Sequence, residues 1–185
     1  MDIKQTRLVL NKLAKQVVRE AKENLAKQGK SGQLQNSLTY RFKDKDSIVL
    51  QFLGEDYANF VDQGVKGADP SRVSPNAKIK GQQAPNSKFK FGSGSSRGTF
   101  DKFVKRMSLF AKSKSIRFRD KEGKFVKGGY DSVGYVIAKN IYARGLKPSL
   151  FFTTPFEKAF KRIDKELIKA YKIDIEKEIL KVTKQ

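Results

Sequence analysis

Between Lys66 and Gly98 the chain has little apolar content beyond Phe89 and Phe91, yet it holds three of the five prolines and many Gly, Ser, Asn and Gln residues. A stretch of this length without regular structure is uncommon inside a compact domain, and is normally functional or disordered. On both sides of it, apolar residues recur with regular periods. The pattern predicts a single α+β domain built from 1–65 and 99–171. Residues 66–98 form an inserted basic arm, partly disordered in the free subunit, and 172–185 form a helical extension.

The periodic segments define the elements. From Asp2 to Gln28, Ile3, Leu10, Leu13, Val17, Ala21 and Leu25 recur mostly in three- and four-residue steps between charged residues, and Gly29 follows as a C-cap. That spacing is one face of an amphipathic helix. Leu38, Tyr40 and Phe42 then alternate with polar residues, as do Ile48, Leu50 and Phe52 beyond the turn at 43–46, which reads as an antiparallel hairpin. Tyr57, Phe60 and Val61 suggest one or two helical turns stopped at Gly64. Phe100, Phe103, Val104, Met107, Phe110 and Ala111 form a second stripe with Thr99 as N-cap. Ser115–Gly129 resembles a hairpin around Asp120–Gly123, and Val133, Val136, Ile137 and Ile141 predict a helix ended by Gly145. An extended stretch, Leu146–Thr154, precedes a long helix with Pro155 as its first residue. Its face carries Phe156, Phe160, Ile163, Leu167 and Tyr171, and its last two turns project from the body. The fold class is therefore α+β, with N-terminal and C-terminal helices packed on a small antiparallel sheet and a long basic loop insertion.

Charge narrows the function classes. Forty Lys and Arg face nineteen Asp and Glu, a net +21. Between Val65 and Gly128 there are seventeen basic and four acidic residues, a net +13. Such a field attracts polyanions and opposes self-association unless geometry or a partner overcomes it. With no Cys and no His, disulfide frameworks and zinc sites built from those residues are excluded, and the chain suits a reducing cytoplasm. The charged N-terminus has no apolar signal region, and no apolar run approaches the ~18 residues of a membrane span.

No cofactor site, metal site or catalytic constellation can be read from the residues. Glu55-Asp56 with Asp62 is the acidic cluster that could hold Mg²⁺ for phosphodiester chemistry, but a solvated loop accounts for it. The glycine run Gly92–Gly98 lacks phosphate-cradle spacing and reads as a linker. In Lys88-Phe89-Lys90-Phe91 and Ile116-Arg117-Phe118-Arg119 the aromatics alternate with basic residues, which permits base stacking. The same alternation describes any strand with one buried face. Contact with a DNA backbone needs only charge and proximity, and Lys66, Arg72, Lys78, Lys80, Lys88, Lys90 and Arg97 of the arm are the candidate DNA-facing residues.

Three segments, in order, resemble small tail-completion (head–tail joining, neck) proteins of tailed bacteriophages. Ser31–Leu38 (SGQLQNSL) is similar to their TG-x-L-x-x-S-I segment before the first strand. Tyr57–Gly64 (YANFVDQG) resembles YA-x-[YF]-[VL]-E-x-G, with Asp62 in place of Glu, and Val65 where Thr usually follows. Gly145–Phe156 (GLKPSLFFTTPF) resembles G-x-x-P-x-P-F-L-x-P-A, without its second proline and alanine. The resemblance covers most of 1–65 and 130–170. It implies a non-enzymatic virion protein assembled in the bacterial cytoplasm. Such a protein forms a homo-oligomeric ring, hexameric or twelvefold, that joins portal or connector proteins to adjacent tail proteins around the DNA channel. It also implies that Tyr57, Phe60, Gly64, Pro148 and Pro155 are packing and turn positions. The competing readings are a free, sequence-nonspecific nucleic-acid-binding protein, favoured by the charge, and a metal-dependent nuclease, disfavoured by the weak acidic site.

Overall fold

A computed structural model of the protein describes residues 3–30, 32–44, 47–94 and 98–183. Among these residues it contains helices α1 (Lys4–Lys27), α2 (Gln33–Ser37), α3 (Ala58–Gln63), α4 (Phe100–Ser113), α5 (Tyr130–Arg144) and α6 (Thr153–Val182). Strands β1 (Thr39–Asp44) and β2 (Ile48–Leu53) pair antiparallel, as do β3 (Val65–Lys66) and β4 (Gly145–Leu146). The α+β expectation holds. The chain divides into two compact units, Met1–Asp62 with Leu150–Gln185, and Gln63–Ser149. The second unit begins near the expected arm but continues to Ser149. It takes in α4 and α5, which pack on each other.

In the first unit α1 and α6 pair antiparallel. Leu13 and Val17 of α1 meet Ala159 and Ile163 of α6, with Leu50, Phe52 and Phe156 against them. Ala21, Leu25, Leu34, Leu38 and Phe151 close the other end of the core. Phe52 is edge-on to both Phe152 and Phe156, with ring centroids 5.1 and 5.8 Å apart. Hairpin register pairs Thr39 with Leu53 through Asp44 with Ile48, and Tyr40 Oη donates to Asn11 Oδ1 of α1 at 2.6 Å. Helix α1 ends as predicted. Lys30 N bonds Leu25 O and Gly29 N bonds Ala26 O, the paired reverse bonds of a glycine-terminated helix.

Buried carboxylates cap both helices of this pair. Asp62, 4% exposed, accepts from Phe152 N at 2.8 Å, from Thr153 N at 3.2 Å and from Thr153 Oγ1. This corrects the solvated-loop reading, since Asp62 serves as the acceptor that the first amides of α6 require. Helix α6 accordingly starts at Thr153. Pro155 is its third residue rather than its first, still within the turn whose amides need no helical partner. The stretch before it is extended only at Gly145–Leu146, and Leu150 has φ 49° in a turn whose amide donates to Asp62 O at 2.9 Å. At the far end Asp174, 1% exposed, accepts from Gln5 N at 3.0 Å and from Thr6 N and Thr6 Oγ1 at 2.8 Å each.

The second unit is held by close backbone approach. Gly64 has φ +70°, and a Cβ there would lie 2.5 Å from Leu146 O and 2.7 Å from Pro148 N. A Cβ on Gly134 of α5 would lie 2.5 Å from Ser108 N of α4, so these helices meet at bare backbone, beside buried Ala111 and Ala138. The larger stripe residues Phe110 and Val136, expected in the core, are exposed in consequence. The irregular segment after β3 is pinned rather than loose. Ala68 N bonds Tyr142 O at 2.9 Å, Gln83 N bonds Arg144 O at 2.7 Å, and Ser87 Oγ donates to Gly64 O at 2.7 Å. Thr99 caps α4 as predicted, its hydroxyl accepting from Lys102 N at 3.3 Å.

Replacing Asp62 by Ala strands the Phe152 and Thr153 amides in a partly buried setting. The expected loss is about 2 kcal/mol, or about 4–8 °C in Tm for a chain of this size. Thermal unfolding followed by circular dichroism tests it, and a Tm within a degree of wild type would refute the capping role. Asp174 gives a pH signature. Burial opposes its ionisation, but the hydrogen bonds from Thr6 and Gln5, helped by the charge of Lys177, outweigh burial and hold its carboxyl below the usual range. A depressed folded pKa stabilises the fold above the ordinary carboxylate range, and that gain is lost as pH falls through it, below about pH 5. Asp174→Asn is therefore expected to be less stable than wild type at neutral pH, with the gap narrowing on acidification. A pH-independent gap in urea titrations would contradict this.

Candidate nucleic-acid interface

The two units differ in charge. Residues 63–149 carry twenty basic and five acidic side chains, a net +15, against +6 for the remaining, longer part of the chain. The second unit is thus the half whose field would attract a polyanion more strongly.

The arm residues singled out from sequence are distributed along this unit. Lys66 is half-buried in β3. Its amide donates to Phe89 O at 2.8 Å and its carbonyl accepts from Phe91 N at 2.9 Å, which makes Lys66 and Lys90 partners in a parallel bridge. These two lysines are brought together. Arg72 is tied to Asp69, 3.1 Å away, so part of its charge is already compensated. The Asp69 carboxyl is held below its usual range, first by hydrogen bonds from Ser71 and then by Arg72. Lys78 and Lys80 are exposed in irregular backbone, and the Lys88 amine lies 5.1 Å from the Phe89 ring centroid. Arg97 lies outside the described residues. Phe91 does not present a free face for base stacking, because it stacks on Phe103 at 6.0 Å and leans on Tyr142 at 5.5 Å.

A denser basic surface lies further along. Residues 102–127 contain ten basic and two acidic residues, against seven and one in the longer span 66–98. The hairpin expected around Asp120–Gly123 is present as a bridge between Arg119 and Phe125, with Val126 N bonded to Phe118 O at 3.1 Å. Its few acids are used internally. Asp120 Oδ1 accepts from Glu122 N and Lys124 N at 3.0 and 2.9 Å, building the tip, and Glu122 pairs with Lys124 at 3.1 Å. Phe125, 53% exposed, is flanked by two guanidinium groups, with Arg119 Cζ 4.1 Å and Arg117 Cζ 5.1 Å from its ring centroid. Arg119 also donates to Gly123 O at 2.8 Å, which fixes its plane. Arg117 and Arg119 both lie over the Phe125 ring, so the three side chains share one hairpin face. Two cations beside an exposed ring combine phosphate attraction with a stacking surface. The sequence reading singled out Ile116–Arg119 as a stretch that permits base stacking, but it named neither these arginines nor Phe125 as the interface because it weighed the arm's composition. Net charge over a window of about 25 residues would have found it.

The acidic alternative has no comparable geometry. Glu55, Asp56 and Asp62 do line one cleft of about 320 Å³ in the first unit, together with Val18, Leu38, Phe52 and Phe152. However, Asp62 is committed to α6, Glu55 accepts from Gln33 Nε2 at 3.1 Å, and no group of three or more metal-ligating side chains occurs among the described residues. Nor is any helix among them long and apolar enough to cross a membrane.

Binding through this hairpin should be electrostatic and insensitive to sequence. The double variant Arg117→Ala/Arg119→Ala is expected to weaken duplex DNA binding equally across sequences and to flatten the log K against log salt slope by about 1.8. Arg72→Ala, already paired with Asp69, should change it less. Fluorescence anisotropy across a salt series measures both, and a larger effect of Arg72→Ala would move the interface to the arm. Comparisons with protein-family models, with curated proteins and with solved structures found no match to this chain.

Proposed function

We propose that this chain is a non-enzymatic structural protein of a tailed-bacteriophage neck. In this reading it forms a homo-oligomeric ring, hexameric or twelvefold, joining portal or connector proteins to the tail, with its basic unit towards the packaged DNA. The carrying observation is that the two later resemblance segments meet in the fold through framework contacts. From Tyr57–Gly64, Asp62 caps the helix that begins within Gly145–Phe156, and Gly64 packs on Leu146 and Pro148 of that same segment. Residue types that match a family pattern for reasons of architecture, rather than chemistry, support a structural role. Gly64, Pro148 and Pro155 fit the packing and turn roles the resemblance implies, whereas Tyr57 and Phe60 are 42% and 43% exposed. Exposed aromatics suit a surface that meets a neighbour in an assembly.

A channel wall needs attraction for DNA without sequence readout, which phosphate contacts supply, and the hairpin from Arg117 to Lys127 offers it. The same hairpin favours the second reading, a free nonspecific nucleic-acid-binding protein, because an exposed ring between two arginines suits single strands.

Cryo-electron microscopy of purified particles, with subunit identification, separates the two. The neck reading expects a closed ring of this chain between portal and tail, with lysines and arginines of the second unit lining the lumen. A chain absent from particles and recovered only on nucleic acid in infected cells would overturn it in favour of free binding.

A further inference from the structure

Helix α6 carries an apolar stripe that its own unit leaves uncovered. Ile168, Tyr171, Ile175, Ile179 and Val182 follow steps of three, four, four and three residues, the spacing of a helix–helix seam. Ile168 is 70% exposed, Ile179 56% and Val182 71%, and Ile175 is half-buried. Beyond Asp174, which reaches the first turn of α1, the helix continues from Ile175 to Val182, about 12 Å at 1.5 Å per residue. Charge pairs run along this part of the helix, Lys172 with Glu176 at 3.8 Å and Lys181 with Glu178 at 3.3 Å.

Charge identifies the occupant. Residues 164–183 hold five acidic and five basic side chains, a net charge of zero, in a protein of net +21. Helices α1, α4 and α5 carry net +5, +3 and +1. A polyanion has no reason to choose this neutral half of α6, a helix of net +2 as a whole, over α1 or α4. A second copy does, because this is the long helical surface on which two strongly basic chains can approach without like-charge repulsion. The apolar surface is also two-sided near the helix end. Ile179 and Leu180, both more than half exposed, point about 100° apart around the helix axis. A helix with apolar groups on two flanks can serve one neighbour on each side, which a head-to-tail ring interface requires.

We propose that the outer half of α6 is the subunit interface, with the α6 helices of successive copies packed side by side along the Ile168–Val182 stripe. This deepens the ring reading and rests on it. The full chain is tested by light scattering after size exclusion, comparing wild type with Ile168→Glu/Ile179→Glu. Both positions are exposed in the single chain, so its circular dichroism should be unchanged. The oligomer is expected to fall to the 21.0 kDa single chain. The sequence contains no cysteine, so a Leu180→Cys/Val182→Cys variant, with one thiol on each flank of the helix, treated with a short bismaleimide reports contact at those positions alone. A ladder extending past dimers supports side-by-side packing around a ring. Products that stop at dimers keep α6 as a contact but overturn the ring arrangement. A wild-type oligomer that resists the double substitution and does not cross-link overturns the α6 interface while leaving a ring built through another surface. A wild-type chain that stays single at all concentrations overturns both.

Discussion

A carboxylate at the start of a helix is the interaction on which the first unit turns. The first amides of a helix have no acceptor within it, and the partial positive charge they create is best met by an anion. Helices α1 and α6 run antiparallel, and each has this need at the opposite end of the pair. Asp174, near the end of α6, reaches the start of α1, and Asp62, at the end of α3, reaches the start of α6. Six residues are too few for α3 to hold itself together. Its register therefore depends on what it grips. The backbone carbonyl of Asp62 accepts from Leu150 N while its side chain accepts from Phe152 and Thr153. One residue thus ties the point where the chain leaves this unit to the point where it returns.

The second unit depends on side chains that are absent. Gly64 and Gly134 sit where any Cβ would collide with backbone atoms. The resulting close approaches align β3 with β4 and bring α4 onto α5. Small residues leave little apolar area to bury at the crossing itself, so the aromatic groups gather around it. Phe91, Phe100, Phe103 and Tyr142 form one contiguous set of ring contacts in this unit. This set explains why the arm, poor in apolar residues, is not without anchorage. Phe91 is the arm's contribution to the cluster, and the parallel bridge at Lys66 and Lys90 holds it in place.

Local patterns were legible in the sequence, and long-range commitments were not. The spacing of Leu13, Val17, Ala21 and Leu25 specified α1 and its buried face, because that face meets a partner along most of its length. Alternation specified the β1–β2 hairpin for the same reason. The stripes of α4 and α5 also predicted helices but misplaced the core, since a stripe reports large apolar residues whereas this crossing is made by Gly134, Ser108 and Ala111. The roles of Asp62 and Asp174 could not be read locally, because their partners lie about 90 and 168 residues away in sequence. Among lysines and glutamates, Asp174 looks like one more solvated charge. The basic hairpin was visible as a turn and its charge as composition, but the pairing of Arg119 with Phe125 appears only once the register is known.

Charge and apolar surface are segregated along this chain in a way that resolves an electrostatic conflict. Copies of a +21 chain repel one another at any distance shorter than a few Debye lengths, about 8–10 Å each at moderate salt. A uniform distribution of that charge would spread the repulsion over every possible contact. Here Gln63–Ser149 carries most of it, and the outer half of α6, with its exposed apolar stripe, carries no net charge. Repulsion between copies is then greatest where a polyanion can neutralise it and weakest where apolar groups can meet. A polyanion threading between basic faces would remove the main term opposing association, so nucleic-acid binding and self-association would favour each other through linkage rather than compete. Such a coupling would follow from charge placement alone, with packaged duplex and with a free strand alike.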